Sequence, residues 1–173
     1  TIKGVCGKEA ETSKWQDLLL SVVRGVGTIQ HTLGKNASKE VADFLVDALF
    51  STITNANFDD QSILNKVDTG IALKKQLLET ALSKNITFPN YQEVHWGGEK
   101  SDYSAEGERE GVLRNENADL RSLKELTVLG LKGIAAYYDH AVRLGETNEE
   151  IIAFICKALA TITAPDADME TLL

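Results

Sequence analysis

The longest run of helical periodicity lies between Ser122 and Leu159. Apolar or small residues recur there at Leu123, Leu126, Gly130, Gly133, Ile134, Tyr137, Ala141 and Leu144, in steps of three and four. That spacing lines up one stripe of an α-helix and predicts the stripe as its buried face. Gly145 is placed to end the helix in a left-handed cap. Thr147 and Glu150 have capping-box spacing, and a second stripe comes next with Ile151, Phe154, Ile155, Ala158, Leu159 and Ile162. The pattern predicts a helical hairpin with a short joint.

The same pattern occurs earlier. In residues 15–49, Leu18, Arg24, Gly25 and Val26 match Leu126, Lys132, Gly133 and Ile134 at an offset of 108 positions. After the joint the offset is 110, and Val41, Phe44, Ala48 and Leu49 match Ile151, Phe154, Ala158 and Leu159. The two-residue difference falls in the loop, where length is tolerated. An internal duplication of one hairpin is the reading.

In chain order, Ser13 and Gln16 have capping-box spacing and predict a first helix over 13–33, burying Trp15, Leu18, Leu19, Val22, Val26 and Ile29. Gly34 closes it. Asn36, Ala37 and Ser38 open a second helix over 38–54 with Val41, Phe44, Leu45, Ala48 and Leu49 inside. Asp59 caps a third over 60–84, burying Ile63, Val67, Ile71, Leu77, Leu78 and Ala81. Residues 1–84 then form a three-helix bundle. The period fails over 85–117, which holds Pro89 and four glycines and reads as a linker, with Tyr91, His95, Trp96 and Tyr103 suited to packing and a short helix near 106–114. Residues 118–173 form a second bundle whose third helix opens near Asp166 and stops short at Leu173. The fold class is all-α: two three-helix bundles related by duplication, the second truncated.

The chain has 173 residues, 43% of them hydrophobic, enough for a core. A net charge of −8 argues against a nucleic-acid partner, which needs a concentrated basic surface. No apolar run approaches a bilayer span, and the first residues, TIKGVCGKEAE, lack the apolar core of a signal peptide. Two cysteines 150 positions apart are no disulfide scaffold. A reducing cytoplasm is the default. A first residue of Thr, not Met, and a last helix cut short suggest processing or a piece of something longer.

Cys6 is the foremost candidate for chemistry. Its flanking glycines let backbone come close, and the helix N-terminus after it favours a thiolate. No C-x-x-C accompanies it, so from residues alone it also fits a small thiol in a turn. Cys156 lies in an apolar helix and reads as core. His31, His95 and His140 have no ligand spacing, and His31 and His140 suit helix ends. Glu9, Glu11 and Asp17 are acids near a helix start, and Arg24 and Lys132 hold matched repeat positions with a structural role. Gly25-Val26-Gly27 lies mid-helix without a preceding strand, so it is no nucleotide loop.

Three stretches carry a resemblance: GVCGKEAETSKWQDLLL, LFSTITNANFDD and RSLKELTVLGLKGIAAYYDHAVRLGETNEEIIAFICKAL. They resemble the N-terminal helical region of hybrid-cluster proteins, also called prismane proteins or hydroxylamine reductases, distant relatives of nickel carbon monoxide dehydrogenases. The likeness covers most of the chain and is weakest over 85–117. It implies that Cys6 matches the last of four cysteines binding a cubane iron–sulfur cluster, the other three preceding Thr1. It also implies that a hybrid iron–sulfur–oxygen cluster is held by later α/β domains, which become the partners of this chain. The implied parent reduces hydroxylamine to ammonia, or nitric oxide, while this chain alone binds no cluster and has no catalytic residue. A free-standing helical interaction module, pairing with itself through an exposed apolar face, is the alternative. Another is an electron-transfer module in which Cys6 of several chains shares one cluster.

Overall fold

A computed structural model describes residues 7–34, 36–53, 59–114 and 116–172. Every regular element among the described residues is helical: α1 (Ala10–Leu33), α2 (Lys39–Ser51), α3 (Asp60–Ser83), α4 (Gln92–His95), α5 (Tyr103–Arg109), α6 (Ala118–Arg143), α7 (Glu149–Thr163) and α8 (Met169–Leu172). The all-α class expected from periodicity holds. None of these helices is long and apolar enough to cross a membrane.

The molecule is arranged around α1. Leu18, Leu19, Val22, Val23, Val26 and Ile29 are at most 1% exposed, and Ser21, Gly25, Gly27 and Thr28 are buried too. A helix apolar on nearly every side can only be a core helix. Helices α3 and α7 pack along α1, α2 packs on α6, and α4 and α5 close over the remaining side of α1. One contiguous apolar cluster therefore takes residues from both hairpins. Helix α1 can be this crowded because two glycines admit neighbours. A Cβ on Gly25 would strike the Glu93 carbonyl, and one on Gly27 would sit 2.6 Å from Leu159 Cδ1.

Segment 85–117 is folded onto α1. Val94 and Tyr103 are buried, and the Trp96 and Tyr103 rings lie 5.8 Å apart. The Tyr103 hydroxyl donates to Asp68 Oδ1 at 2.6 Å. The short helix comes at 103–109, a few residues before the expected place.

Several local expectations need correction. Helix α1 starts at Ala10 with Glu9 at its N-cap and no side-chain cap, so Ser13 and Gln16 are buried inside it. Helix α7 is capped by Asn148, not Thr147: Asn148 Oδ1 accepts from Glu150 N at 2.8 Å and Ile151 N at 3.2 Å. Tyr138 holds that joint, accepting from the Asn148 amide at 2.9 Å. Helix α8 opens at Met169, with Thr171 N donating to Asp168 Oδ1 at 2.9 Å. The largest correction concerns α6. Its buried residues are Val128, Leu131, Ala135 and Tyr138, whereas Leu126, Tyr137 and Leu144 from the expected stripe are exposed. Phe154 of α7 is exposed as well. Both faces of α6 carry helical spacing, and the one facing α2 is the one buried.

Candidate functional site

Cys6 lies outside the described residues. Just after it, Gly7 takes φ +90°, and the Lys8 ammonium donates to Gln16 Oε1 at 2.7 Å, tying Lys8 to the buried side of α1. Behind these residues a cavity of about 190 Å³ is lined by Lys8, Gln16, Asp17, Arg24, Glu125 and Lys132, among others. Burial pushes the Asp17 carboxyl up to about 6, with Glu125 adding to the effect and Lys132 and Arg24 opposing it. Lys132 donates to the Thr52 carbonyl at 3.2 Å, at the C-terminus of α2, where a cation meets the negative end of the helix dipole. Burial lowers its ammonium below the ordinary lysine range.

A second, larger cavity of about 430 Å³ shares Arg24 and opens between α1, α6 and the segment after α5. Its floor is an ionic cluster. Glu110, whose side chain is fully buried, accepts from Arg24 Nη2 at 2.5 Å, from Arg109 Nη2 at 2.7 Å and from Arg114 Nη1 at 2.7 Å. Glu93 accepts from Arg114 Nη2 at 2.5 Å and faces Arg24 Nε at 3.8 Å. Glu106 takes Arg109 through a bidentate pair. Three carboxylates thus face three guanidinium groups, which is what makes their burial tolerable. Burial works to raise Glu93, but Arg114 and Arg24 hold it below the usual carboxylate range. On the far side of Glu93, the buried Lys74 donates to the Glu93 and Trp96 carbonyls at 3.0 and 2.7 Å, and burial lowers its ammonium to about 8. This cluster fastens α4, α5 and the turn beyond them to α1. Its balanced charges fit a structural clamp, beside which burial holds the Asp17 carboxyl well above the usual carboxylate range.

Arg24 and Lys132, for which the sequence pattern suggests a structural role, are both tied into structure. Cys156 is 1% exposed among apolar side chains, and burial pushes its thiol up to about 12, so it stays protonated. His31 and His140 sit exposed in last turns, the latter edge-on to Phe50, and His95 Nε2 donates to the Pro89 carbonyl at 2.9 Å. The clamp carboxylates are not legible as a site in the sequence. Their one signal is the i,i+4 spacing of Glu106, Glu110 and Arg114 in a stretch without apolar period.

A cubane iron–sulfur cluster takes about four thiolates. The chain has two cysteines, one of them the protonated core thiol of Cys156, so its residues do not fit such a cluster unaided. No group of three or more His, Cys, Asp or Glu side chains is placed to hold a metal ion among the described residues.

A model of the Prismane/CO dehydrogenase family matches residues 1–173. A hydroxylamine reductase of Bacteroides thetaiotaomicron is 44% identical over 176 aligned residues, covering 100% of this chain and 32% of that protein. One from Bacteroides fragilis is 43% identical, covering 99% of the chain and 31% of that protein. One from Methanocaldococcus jannaschii is 40% identical, with 97% and 31% covered. The chain spans about a third of the length of the curated relatives it matches.

Proposed function

The chain belongs to the Prismane/CO dehydrogenase family, and from that membership we propose that it forms the N-terminal helical region of a longer iron–sulfur oxidoreductase of the hydroxylamine reductase type. The observation that carries this reading is likeness to hydroxylamine reductases along the entire chain, which fills only about a third of their length. In the longer polypeptide, hydroxylamine takes up two electrons and two protons and yields ammonia and water; nitric oxide is the other substrate of this reading. The cluster-binding α/β domains lie outside these residues and are their partners. Cys6 contributes one thiolate to the cubane cluster through which electrons enter. The latch from Lys8 to Gln16 holds the residues just after Cys6 against α1. The clamp on Glu110 keeps segment 92–114 in place beside them. The setting is the cytoplasm, where a free buried thiol such as Cys156 persists.

The 173 residues alone hold no cubane, because two cysteines cannot supply four thiolates. Anaerobic purification of the full reading frame and of this chain tests the reading. The full protein is expected to be brown, to reduce hydroxylamine with a reduced viologen dye, and to lose about four irons on Cys6→Ala. The 173-residue chain is expected to be colourless and inactive. A colourless full protein, or a short chain holding about four irons, overturns it.

A further inference from the structure

Two lysines show how this molecule keeps a cation out of water. Lys74 donates to the Glu93 and Trp96 carbonyls at 3.0 and 2.7 Å, and Glu106 and Glu93 favour its charge against burial. Lys132 donates to the Thr52 carbonyl at 3.2 Å, and Glu125 and Asp17 favour its charge against burial and Lys8. Lys124 of α6 departs from that pattern. It is half-buried, its ammonium donates to the Ala164 carbonyl at 3.3 Å, and no carboxylate pairs with it among the described residues. Burial lowers it below the ordinary lysine range; Arg114 and Arg24 lower it further, with Glu93 opposing them. Glu125, its neighbour in the chain, acts instead on Asp17 and Lys132. Most of the donor capacity of this ammonium is therefore unused by the protein, and the charges that bear on it hardest are of its own sign.

Lys124, Arg114 and Arg24 all line the cavity of about 430 Å³ between α1, α6 and the segment after α5. The clamp there is already balanced, with Arg24, Arg109 and Arg114 answered by Glu93, Glu106 and Glu110. Lys124 adds a cation to it. Arg121 lines the same cavity, and so does Glu116, which is exposed. Val112, Val128, Ile162 and Pro165 supply apolar wall. Cavities of this size, with apolar walls and a few convergent charges, are the usual form of a small-molecule site, and a bare inorganic ion would leave most of the space unfilled. We propose that this cavity binds a small organic oxyanion, a carboxylate or phosphate group on a compact apolar body. The anionic group sits on Lys124 and Arg114, where charge-assisted hydrogen bonds use the idle donors, and the body lies against Val128 and Ile162.

The test titrates phenyl phosphate, benzoate and inorganic phosphate into the 173-residue chain and into the full reading frame by calorimetry. At least one of the two organic anions is expected to bind both proteins saturably, with a Kd of about 0.1–1 mM, and inorganic phosphate about tenfold more weakly. Lys124→Met keeps the length of the side chain and removes the charge. It is expected to weaken the organic anion about tenfold or more, and to leave the melting temperature of the free chain level or raise it, because a like charge is gone. Lys39→Met, on the exposed side of α2, removes the same charge elsewhere and should leave binding unchanged. The proposal is overturned if neither organic anion binds at about 10 mM, or if Lys124→Met binds as the parent does. Equal affinity for inorganic phosphate, or equal weakening by Lys39→Met, would reduce the effect to general charge and overturn it too. So would a Lys124→Met chain that melts earlier than the parent, which makes the ammonium a structural tie. Binding by the short chain and not by the full protein would give the cavity to the rest of the polypeptide, again against the proposal. No readout involves iron or turnover, so its failure leaves the proposed function standing.

Discussion

Asp17 is the residue whose environment departs furthest from its sequence reading. An acid near a helix start is expected to stabilise α1 through the dipole. The structure instead sinks it beside Glu125, and burial moves its carboxyl from 3.8 to about 6. The native state therefore keeps a proton that the unfolded chain has lost, and stability falls as pH rises from about 4 to 6, then levels off. Asp17→Asn removes the cost of burying the charge. It is expected to stabilise the chain by roughly 1–3 kcal/mol at about pH 8 and to differ little from the parent near pH 4, as read from urea melts at the two pH values. Gly25 sets the opposite case. Gly25→Ala gains helix propensity but drives a methyl into the Glu93 carbonyl, which is backbone and cannot step aside. The expected loss is about 1–3 kcal/mol, measured by thermal unfolding, and the same change at an open helix site gains stability.

At the scale of elements, the clamp decides how segment 85–117 behaves. Glu110→Ala leaves Arg24, Arg109 and Arg114 with one carboxylate fewer in a buried site. The expected cost is about 3–5 kcal/mol by chemical denaturation, with faster amide exchange confined first to residues 92–114. Asp139→Ala breaks the half-exposed pair to Arg143 and should cost less than about 1 kcal/mol. The contrast in magnitude separates a buried ionic clamp from an ornamental surface pair. The sequence presents the same charges as a solvated, aperiodic stretch, because burial of an ion pair leaves no period to read. Helix α6 shows the complementary difficulty. Its two faces both carry three-and-four spacing, and the glycine-containing stripe has the pattern of a buried one. What selects between two such stripes is the neighbour, here α2, and neighbours are not written in the helix itself.

At the scale of the whole molecule, helices of both hairpins share a single apolar cluster, with α1 packed on α7 and α2 on α6. Calorimetry is expected to give one unfolding transition with matching calorimetric and van't Hoff enthalpies; two transitions would mean that residues 1–84 and 118–173 fold as separate bundles. The local pattern of the chain determined that it is helical, where most helices run, that Asp59 caps α3, and that Cys156 is core, since each is set by forces acting within a few turns. Which helix became the centre, which face of α6 was covered, and how Arg24 met Glu110 across 86 positions were decided only when the elements packed. Burial, and the electrostatics it commands, depends on what arrives from elsewhere in the chain.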